Sequence, residues 1–314
     1  LLTYPEAIVV GALQGVAELF PVSSLGHSVI LPALIGGRWA RDLDVSAPNS
    51  PYLAFIVGLH VATAVALLVF FWRDWVRIIT GFVTSLRYRR IRTTDERLAW
   101  MIIVATIPVG ITGLLLEHTF RTVLGRPIPA AIFLAVNGVI LYGAERLRRR
   151  AATGTGTAGT EPAASTVTVA GGSSDAAYSE GIISDRRIAA RTFKDTTLIG
   201  CAEILALLPG ISRSGATMAG GLLRGLSHED SARFSFLLAT PVIFAAGALK
   251  LGDLFGPLGQ GIHGQVLAGS VASGVCAYLA VRFLTRYFET RTLTPFAIYC
   301  LVAGLGSLGW LSFA

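Results

Sequence analysis

Long apolar segments are the feature of this sequence that most restricts its fold. Five of them are apolar enough to cross a bilayer, which takes about 20 residues, and a sixth carries only Asn137 and Glu145 as strongly polar residues. In chain order the six lie at about 52–72, 99–116, 128–145, 231–250, 266–285 and 293–313. Only 14% of the 314 residues are charged, against about 25% in a typical soluble chain. The sequence therefore predicts an all-α polytopic membrane protein with about six transmembrane helices.

Two further apolar regions, 5–36 and 197–226, are interrupted by proline, glycine, serine and ionisable residues. Each uninterrupted part is too short to span a bilayer. Non-helical backbone at membrane depth is tolerated only where it is buried in protein or lines a water-filled cavity. We therefore predict that both regions form re-entrant helix–turn–helix hairpins.

The distribution of basic residues predicts how the chain is oriented. Arginines are concentrated in 73–98 and at both ends of 146–196, whereas 251–265 contains no Lys or Arg. By the positive-inside rule, the first two segments are cytoplasmic loops and the third lies outside. The same rule accounts for the net charge of +7, so we expect no nucleic-acid partner.

The chain reads as a single membrane domain, 1–314, made of two similar halves. Half one covers 1–150 and half two covers 190–314, and a cytoplasmic linker at about 151–180, rich in Ala, Gly, Ser and Thr, is predicted to be disordered. Gly15-Val-Ala-Glu18 in the first hairpin parallels Gly200-Cys-Ala-Glu203 in the second. Because three spans follow each hairpin, the second half must be inserted upside down, which predicts an inverted-topology repeat with its site near the midplane.

The first motif runs from Gln14 to His27. Gln14 and Glu18 are four residues apart and share a helix face. Pro21 ends that helix, Ser24 falls where the next helix begins, and His27 follows one turn later. An ionisable group at membrane depth indicates function, and a hydroxyl beside a carboxylate and an imidazole is the arrangement of a nucleophile with its base.

The second motif, Pro209 to Thr217, reads Pro-Gly-Ile-Ser-Arg-Ser-Gly-Ala-Thr. The guanidinium of Arg213 matches phosphate oxygens, and the helix that follows would direct its N-terminus at the same anion. The motif therefore predicts a phosphate-binding site, with Glu203 and Gln14 as supporting residues. The predicted phosphate ligands are Ser23, Ser212, Arg213, Ser214 and Thr217.

Some polar residues have simpler interpretations. A bare ion pair between Glu18 and Arg213 would stabilise the helix bundle, but it would leave the hydroxyls around them unexplained. We interpret His60, in the middle of the 52–72 span, as a packed or satisfied polar residue rather than a catalytic one, with a side chain that faces the cavity as the alternative. His228, which follows Ser227, is interpreted as part of a capped helix start.

The two motifs together resemble those of the bacterial undecaprenyl-diphosphate phosphatase family, also called the bacitracin-resistance protein family. The first is similar to the family's (Glu/Gln)-x-x-x-Glu region and its Pro-Val-Ser-Ser-x-Gly-His, and the second to its Pro-Gly-x-Ser-Arg-Ser-x-x-Thr. Further similar stretches begin at Gly58, Ala105 and Ala232. The resemblance covers nearly the whole chain apart from 151–180.

The resemblance implies an enzyme that hydrolyses undecaprenyl diphosphate, the lipid carrier of cell-wall synthesis, to the monophosphate. The family's essential positions correspond to Glu18, Ser24 and Arg213, with His27 close by. The resemblance also implies dependence on a divalent cation, Mg²⁺ or Ca²⁺, with Glu18 as its candidate ligand. Gln14 occupies the family's first acidic position and cannot ionise, so a cation site that needs two carboxylates there is in doubt.

Our hypothesis is that Ser24 attacks a terminal phosphate held by Arg213, that Glu18 or His27 accepts the hydroxyl proton, and that water then cleaves the phosphoserine. Direct attack by an activated water remains an alternative. We expect the site to open toward the outer face of the bacterial plasma membrane. The polyprenyl chain is expected in a cleft between 52–72 and 231–250. The sequence leaves a homo-oligomer open.

A transporter or flippase of a lipid phosphate or small anion is the alternative from another class, because inverted repeats with broken helices are also a transporter plan. An anion carrier has no need of a nucleophile paired with a base, so we rank it second. The other superfamily of membrane lipid phosphatases has Lys-x₆-Arg-Pro and His-x₃-Asp elements that this sequence lacks.

Overall fold

The computed structural model of the protein describes residues 2–43, 51–154, 173–256 and 260–313, and the regular elements in these ranges are all helices. Those of the first half are α1 (Tyr4–Leu19), α2 (Ser24–Ile35), α3 (Gly37–Asp42), α4 (Pro51–Phe70), α5 (Trp72–Tyr88), α6 (Thr94–Leu124) and α7 (Pro127–Gly154). Those of the second half are α8 (Ser173–Ala189), α9 (Phe193–Ala202), a 3₁₀ turn (Glu203–Leu207), α10 (Arg213–Leu223), α11 (His228–Phe255), α12 (His263–Thr290) and α13 (Thr294–Phe313).

Five of the described helices are long and apolar enough to cross a membrane. They are Thr94–Leu116, Pro127–Ala151, His228–Lys250, His263–Thr290 and Thr294–Phe313. Each contains one of the predicted spans, so the prediction of an all-helical polytopic membrane protein is confirmed. The remaining predicted span, 52–72, corresponds to α4, which is followed by an 85° bend into α5.

The connection at 73–98, predicted to be a cytoplasmic loop between spans, is helical for most of its length, because α5 occupies Trp72–Tyr88. One face of α5 is buried at Asp74, Ile78 and Ser85. The opposite face exposes large apolar side chains, namely Trp72, Val76, Ile79, Val83 and Leu86. A helix with these two faces that turns sharply away from a span is typical of one lying along the membrane interface. In the sequence, the arginines of this segment led us to interpret it as a cytoplasmic loop, and the apolar periodicity was not recognised.

The predicted linker at 151–180 is bordered by helices. α7 continues to Gly154 and α8 begins at Ser173, so helices occupy both ends of the interval. Its centre, 155–172, lies outside the described residues, and the prediction of disorder stays a prediction there. The C-terminal part of α8 is held to the bundle by ion pairs, since Asp185 accepts hydrogen bonds from Arg77 and Arg233.

Both interrupted regions form two short helices joined by a sharp break. α1 and α2 are separated by residues 20–23, and α9 and α10 by the 3₁₀ turn and a short extended stretch. A serine caps the second helix in each case. Ser23 Oγ accepts from Gly26 N at 3.2 Å, and Ser212 Oγ accepts from Gly215 N at 3.1 Å. Such caps satisfy main-chain donors that a helix start leaves free.

Each of these helix pairs packs against a span from the other half of the chain. α1 lies along α12, and α9 lies along α6. Glycines permit the close approach, because a Cβ on Gly15 would lie 2.2 Å from Ser273 O and one on Gly200 would lie 2.0 Å from Ala105 O. The two helix pairs are thereby held inside the bundle, with their breaks near each other.

Candidate active site

The carboxylate of Glu18, in the last turn of α1, is the centre of the site. Its Oε2 accepts hydrogen bonds from Ser24 Oγ at 2.5 Å and from Gln14 Nε2 at 3.1 Å. Its Oε1 accepts one from Arg213 Nη2 at 3.4 Å. Glu18 is only 8% exposed, and a buried charge persists only where it is paired and hydrogen-bonded. The first motif therefore supplies the carboxylate, and both motifs contribute its partners.

Ser24 is the first residue of α2, directly after its cap. The cap, Ser23, has φ 67° and ψ 100°, a conformation that non-glycine residues seldom adopt. Such strain costs of order 1–3 kcal/mol and persists only where the surrounding structure imposes it. At this turn the strained residue brings the Ser24 hydroxyl back to the carboxylate of the preceding helix.

Arg213 occupies the corresponding position in the second motif, as the first residue of α10 after its cap. Its guanidinium is 12% exposed and faces two acids, with Nη1 3.6 Å from Glu203 Oε1. Its Nε and Nη1 are buried and have no hydrogen-bond partner among the described residues. Buried donors are almost always satisfied, so these two nitrogens are candidate donors to phosphate oxygens, with Nη1 already 3.6 Å from the Glu203 carboxylate.

Two helix N-termini also point into the site. The first main-chain N–H groups of a helix have no acceptor within it and favour an anion. α2 begins at Ser24 and α10 begins at Arg213, so both N-termini adjoin the Glu18 carboxylate that these two side chains contact. The charge of Arg213 and the two N-termini thus favour phosphate at the same place.

Side-chain hydrogen bonds to the main chain join the two breaks. The carbonyl of Phe20 accepts hydrogen bonds from Ser214 Oγ at 3.0 Å and from Ser212 Oγ at 3.3 Å. Asn137 of α7 bridges both breaks, because its Nδ2 donates to Pro21 O at 3.0 Å and its Oδ1 accepts from Ser212 N at 3.1 Å. A buried amide with partners at both ends fixes the geometry of the groups it joins. The sequence showed Asn137 only as a polar residue within a span.

The structure gives internal partners to the hydroxyls that the sequence assigned to phosphate. Ser23 caps α2, and Ser212 and Ser214 bind the Phe20 carbonyl and each other. Thr217 Oγ1 is 2.8 Å from Arg213 O and 3.1 Å from Glu203 Oε1. A phosphate requires donors, and a hydroxyl has only one hydrogen to give. This geometry favours a structural role for the hydroxyls of Ser212, Ser214 and Thr217, which have acceptors for their hydrogens. Ser23 is the acceptor in its cap hydrogen bond, so the argument does not extend to it. Binding of phosphate by these hydroxyls stays a prediction.

His27 lies on α2 but makes its hydrogen bonds away from Ser24 and Glu18. Its Nδ1 is 2.6 Å from Ser23 O, and its Nε2 is 2.8 Å from the hydroxyl of Tyr299 on α13, whose ring stacks on the imidazole. Of the two candidate bases, only Glu18 touches the Ser24 hydroxyl. In the sequence, Tyr299 is one aromatic residue of an apolar span, and nothing near it predicts a contact with His27.

His60 belongs to the site, in contrast to its interpretation from the sequence as a packed residue. Its Nε2 lies 3.1 Å from Gln14 Nε2 and 3.5 Å from Glu18 Oε2, and its Nδ1 lies 2.9 Å from Ile56 O. The side chain does have hydrogen-bond partners, as the sequence led us to expect. What the sequence could not show is that the partners are the polar residues of the first motif.

The residues around Glu18 do not form a cation site by themselves. In the ranges that the structure describes, no three His, Cys, Asp or Glu side chains come together as metal ligands. Ca²⁺ takes about six to eight oxygen ligands, and Mg²⁺ about six in an octahedron. The Glu18 oxygens already face three hydrogen-bond donors. A requirement for a cation therefore stays a prediction, and no step below depends on one.

An apolar groove of about 760 Å³ lies between α4 and α12. Gly58, Val61 and Ala62 line it on α4, and Leu267 and Val271 are among the residues lining it on α12. The small side chains of α4 leave this space, which the hydropathy of the spans could not reveal. The cleft expected between 52–72 and 231–250 for the polyprenyl chain stays a prediction.

Comparison with known proteins gives a consistent result over nearly the whole chain. The profile of the family described as "Bacitracin resistance protein BacA" matches residues 7–306. A Mycolicibacterium paratuberculosis protein named undecaprenyl-diphosphatase is 68% identical over 312 residues, covering 99% of this chain and 98% of its own. Undecaprenyl-diphosphatase 1 of Frankia casuarinae is 55% identical, with 96% of each chain covered. The undecaprenyl-diphosphatase of Granulibacter bethesdensis is 41% identical, with 98% and 97% covered.

Proposed function

Because this chain belongs to the bacitracin resistance protein BacA family, we infer that it is a multi-pass membrane phosphatase that converts undecaprenyl diphosphate to undecaprenyl monophosphate. Relatives up to 68% identical over nearly their full length are named undecaprenyl-diphosphatase. The reaction returns the lipid carrier of cell-wall synthesis to use. It also removes the diphosphate form of the carrier, which fits the link to bacitracin resistance in the family's name.

One observation in the structure carries the proposal. The Ser24 hydroxyl is 2.5 Å from a buried carboxylate oxygen. The other oxygen of that carboxylate faces a guanidinium whose Nε and Nη1 have no hydrogen-bond partner in the part of the chain that the structure describes. A nucleophile held by a base, beside donors for three non-bridging oxygens, is the arrangement that phosphoryl transfer needs. An anion-binding site alone would not require a serine bound to a carboxylate.

The first proposed step forms a phosphoserine. Arg213 and the N-termini of α2 and α10 hold the terminal phosphate, and Ser24 Oγ attacks its phosphorus. Glu18 Oε2 takes the hydroxyl proton. The bond from this phosphorus to the bridging oxygen breaks, and undecaprenyl monophosphate leaves with the bonding electrons. Fixed positive charge beside the transferring group supplies most of the acceleration in such reactions.

The second step releases phosphate. A water attacks the phosphorus of phosphoserine 24, and Ser24 recovers a proton as its oxygen leaves. Between the steps Glu18 releases to solvent the proton that it took from Ser24. In the second step the Glu18 carboxylate accepts a proton from the attacking water and passes it to the departing Ser24 oxygen, so that it ends ionised for the next turnover. Direct attack by a water activated by Glu18 is the alternative route, in which Ser24 would only orient the carboxylate.

We further propose that the two helix pairs are re-entrant and that the halves form an inverted-topology repeat. Three parallels support this proposal: serine caps at Ser23 and Ser212, acids at Glu18 and Glu203, and the packing of α1 on α12 and α9 on α6. Broken helices that meet at a binding site are typical of such repeats. Half two would then be inserted upside down relative to half one.

The proposed site lies at mid-membrane depth and opens to the outer face. His60, near the middle of α4, contacts Glu18, and the arginine-rich ends of the spans are cytoplasmic by the positive-inside rule. A Ser24→Cys variant, with Cys201, Cys276 and Cys300 replaced, would test the exposure. Labelling of intact cells by an impermeant thiol reagent is expected, and labelling only after lysis would contradict an outward-opening site.

The decisive experiment is phosphate release from undecaprenyl diphosphate by the purified protein in detergent, where no gradient exists. We expect turnover by the wild type and a loss of about 10²–10⁴-fold in Glu18→Gln, the range of general acid–base catalysis. A transporter would release no phosphate. Ser24→Ala separates the two routes, because a phosphoserine intermediate requires its hydroxyl and near-normal turnover would leave only direct water attack. Ser312→Ala, an exposed serine on α13, is the matched control.

A further inference from the structure

Gln14 and His60 form a chain of hydrogen bonds that ends on the catalytic carboxylate. Gln14 Nε2 lies 3.1 Å from Glu18 Oε2 and 3.1 Å from His60 Nε2. His60 Nδ1 lies 2.9 Å from the main-chain carbonyl of Ile56, one turn earlier on α4. The chain therefore runs from the backbone of a span, through an imidazole and an amide, to Glu18.

The direction of each hydrogen bond in this chain follows from its neighbours. The carbonyl of Ile56 can only accept, so His60 Nδ1 carries a hydrogen. The carboxylate of Glu18 can only accept, so the Gln14 amide nitrogen faces it. An amide nitrogen is a donor only, so its second N–H requires an acceptor at His60 Nε2. That acceptor exists only in the neutral imidazole that is protonated at Nδ1.

The alternative positions of the hydrogens would place a donor against a donor or an acceptor against an acceptor. A protonated Nε2 would place its hydrogen beside the Gln14 N–H₂ group 3.1 Å away, and the carboxylate oxygen that could accept it, Glu18 Oε2, is farther away at 3.5 Å. Turning the Gln14 amide over would place its oxygen 3.1 Å from Glu18 Oε2. Arg213 already supplies positive charge on the other carboxylate oxygen. Glu18 and Arg213 are therefore the charged groups that face His60, and their charges are paired with each other.

We propose that His60 is a positioning residue for the reaction, acting through the Gln14 amide to fix Glu18 Oε2 on the Ser24 hydroxyl. This inference rests on the proposed function. His60 does not touch the reacting atoms. Its hydrogen bond fixes the orientation of the Gln14 amide. The amide in turn holds Glu18 Oε2, the oxygen that accepts the proton of Ser24 in the proposed reaction. Placement of catalytic groups to within about half an ångström depends on such supporting contacts.

The direction of these hydrogen bonds also explains why residue 14 is a glutamine. A glutamate there would present an acceptor to Glu18 and to His60 Nε2, and both contacts would be repulsive unless a proton were taken up. The amide satisfies both acceptors without added charge. In this chain the identity of residue 14 is therefore coupled to the identity of residue 60.

Kinetics of variants at the two positions test the proposal. We expect His60→Leu and Gln14→Leu each to lower kcat by about 10–100-fold with KM changed less than about 3-fold, since a loss of placement acts on the chemical step. The double variant should be no slower than either single one, because both break the same chain. His60→Gln, whose amide oxygen can accept from Gln14, should restore most of the turnover. Thr80→Leu, which replaces an exposed polar residue of α5, is the matched control.

A spectroscopic measurement on the wild type does not depend on activity or on folding of a variant. The chain contains five histidines, so ¹⁵N-histidine labelling with His60→Gln as assignment control would resolve the His60 signals. We expect the neutral form with hydrogen on Nδ1 at pH 7. An imidazolium, or hydrogen on Nε2, would overturn the proposal. So would additive losses in the double variant, or an unchanged kcat in His60→Leu.

The proposed function fails separately from this inference. Absence of phosphate release by the wild type would remove the enzyme assignment, whatever the state of His60. Normal release by the wild type together with a fully active His60→Leu would remove only the positioning role.

Discussion

Ser24 and Arg213 are the first residues of two helices capped by serines, and both reach the carboxylate of Glu18. Ser24 contacts Oε2 at 2.5 Å, and Arg213 contacts Oε1 at 3.4 Å. The two motifs thus place a serine hydroxyl and a guanidinium at equivalent positions of similar turns. One acid orients both of them, so a change at any of the three residues acts on the other two.

Removal of Arg213 is predicted to affect stability and turnover by different routes. Arg213→Ala leaves Glu203, which is fully buried, without its cation, and breaking a buried pair costs about 3–5 kcal/mol. It should also lower kcat by about 10²–10³-fold, as for other positioned donors. Adding Glu203→Gln should recover part of the lost thermal unfolding midpoint, since Glu18 still lacks its cation, without restoring turnover. Recovery of turnover in that double variant would contradict a role of Arg213 in holding phosphate.

Ser214 distinguishes the structural from the phosphate-binding interpretation of the second motif. Ser214→Ala removes one hydrogen bond to Phe20 O, worth about 1 kcal/mol of stability, and Ser212 remains as a donor to that carbonyl. We expect a small fall in unfolding midpoint and turnover within about 10-fold of wild type. A serine that bound phosphate in the transition state would cost about 10²–10³-fold. Ser312→Ala, which also loses a bond to a main-chain carbonyl, serves as the control.

The contact between the two breaks has no room for a side chain. A Cβ on Gly26 would lie 2.9 Å from Gly210 Cα, so Gly26→Ala should force the motifs apart and lower both activity and thermal stability. Gly143→Ala on α7 is the matched control, because a Cβ there meets nothing within 4 Å. Equal behaviour of the two variants would show that the breaks do not need this close approach.

His27 and Tyr299 are predicted to act together. The Nε2–hydroxyl hydrogen bond of 2.8 Å and the stacked rings should make the losses in His27→Ala and Tyr299→Phe non-additive, as for residues in contact. A double-mutant cycle on kcat would measure the coupling. Strict additivity, together with a far larger loss in His27→Ala, would instead favour His27 as a base that acts on the substrate.

The cation prediction can be tested on the protein with and without substrate. The residues around Glu18 lack the oxygens that Mg²⁺ or Ca²⁺ needs, so we expect the diphosphate to supply most of the ligands. EDTA should then lower phosphate release, and calorimetry should detect no tight cation binding by the substrate-free protein. Tight binding without substrate would place a cation site where Glu18 now faces Ser24 and Arg213.

Much of the fold followed from the sequence because hydropathy alone marks a transmembrane helix. The five long spans were predicted to within a few residues of the apolar cores of their helices. α5 was missed because its arginines signalled a cytoplasmic loop, and its apolar residues, spaced three and four apart, are visible only when the segment is treated as a helix. The groove in the structure is lined by α4 and α12. Which two spans line a groove depends on how the spans pack, and composition does not show this.

The site was predictable where one motif contains both partners. Gln14, Glu18 and Ser24 are close in sequence, and their contacts follow from helix periodicity and one break. Contacts between distant segments were not predictable in this way. His60 and Tyr299 are single polar residues in apolar spans, and nothing local indicates which neighbour they will meet.

The sharing of Glu18 has a consequence for the order of events in the proposed reaction. Before attack, the negatively charged carboxylate of Glu18 offsets part of the positive charge of Arg213. Once Ser24 has passed its proton to Glu18, that carboxyl is neutral and its hold on the guanidinium weakens. The full charge of Arg213 then becomes available as negative charge moves onto the departing phosphate oxygen. In the proposed reaction, protonation of Glu18 therefore sets the order of events, because it makes the charge of Arg213 available to the transition state.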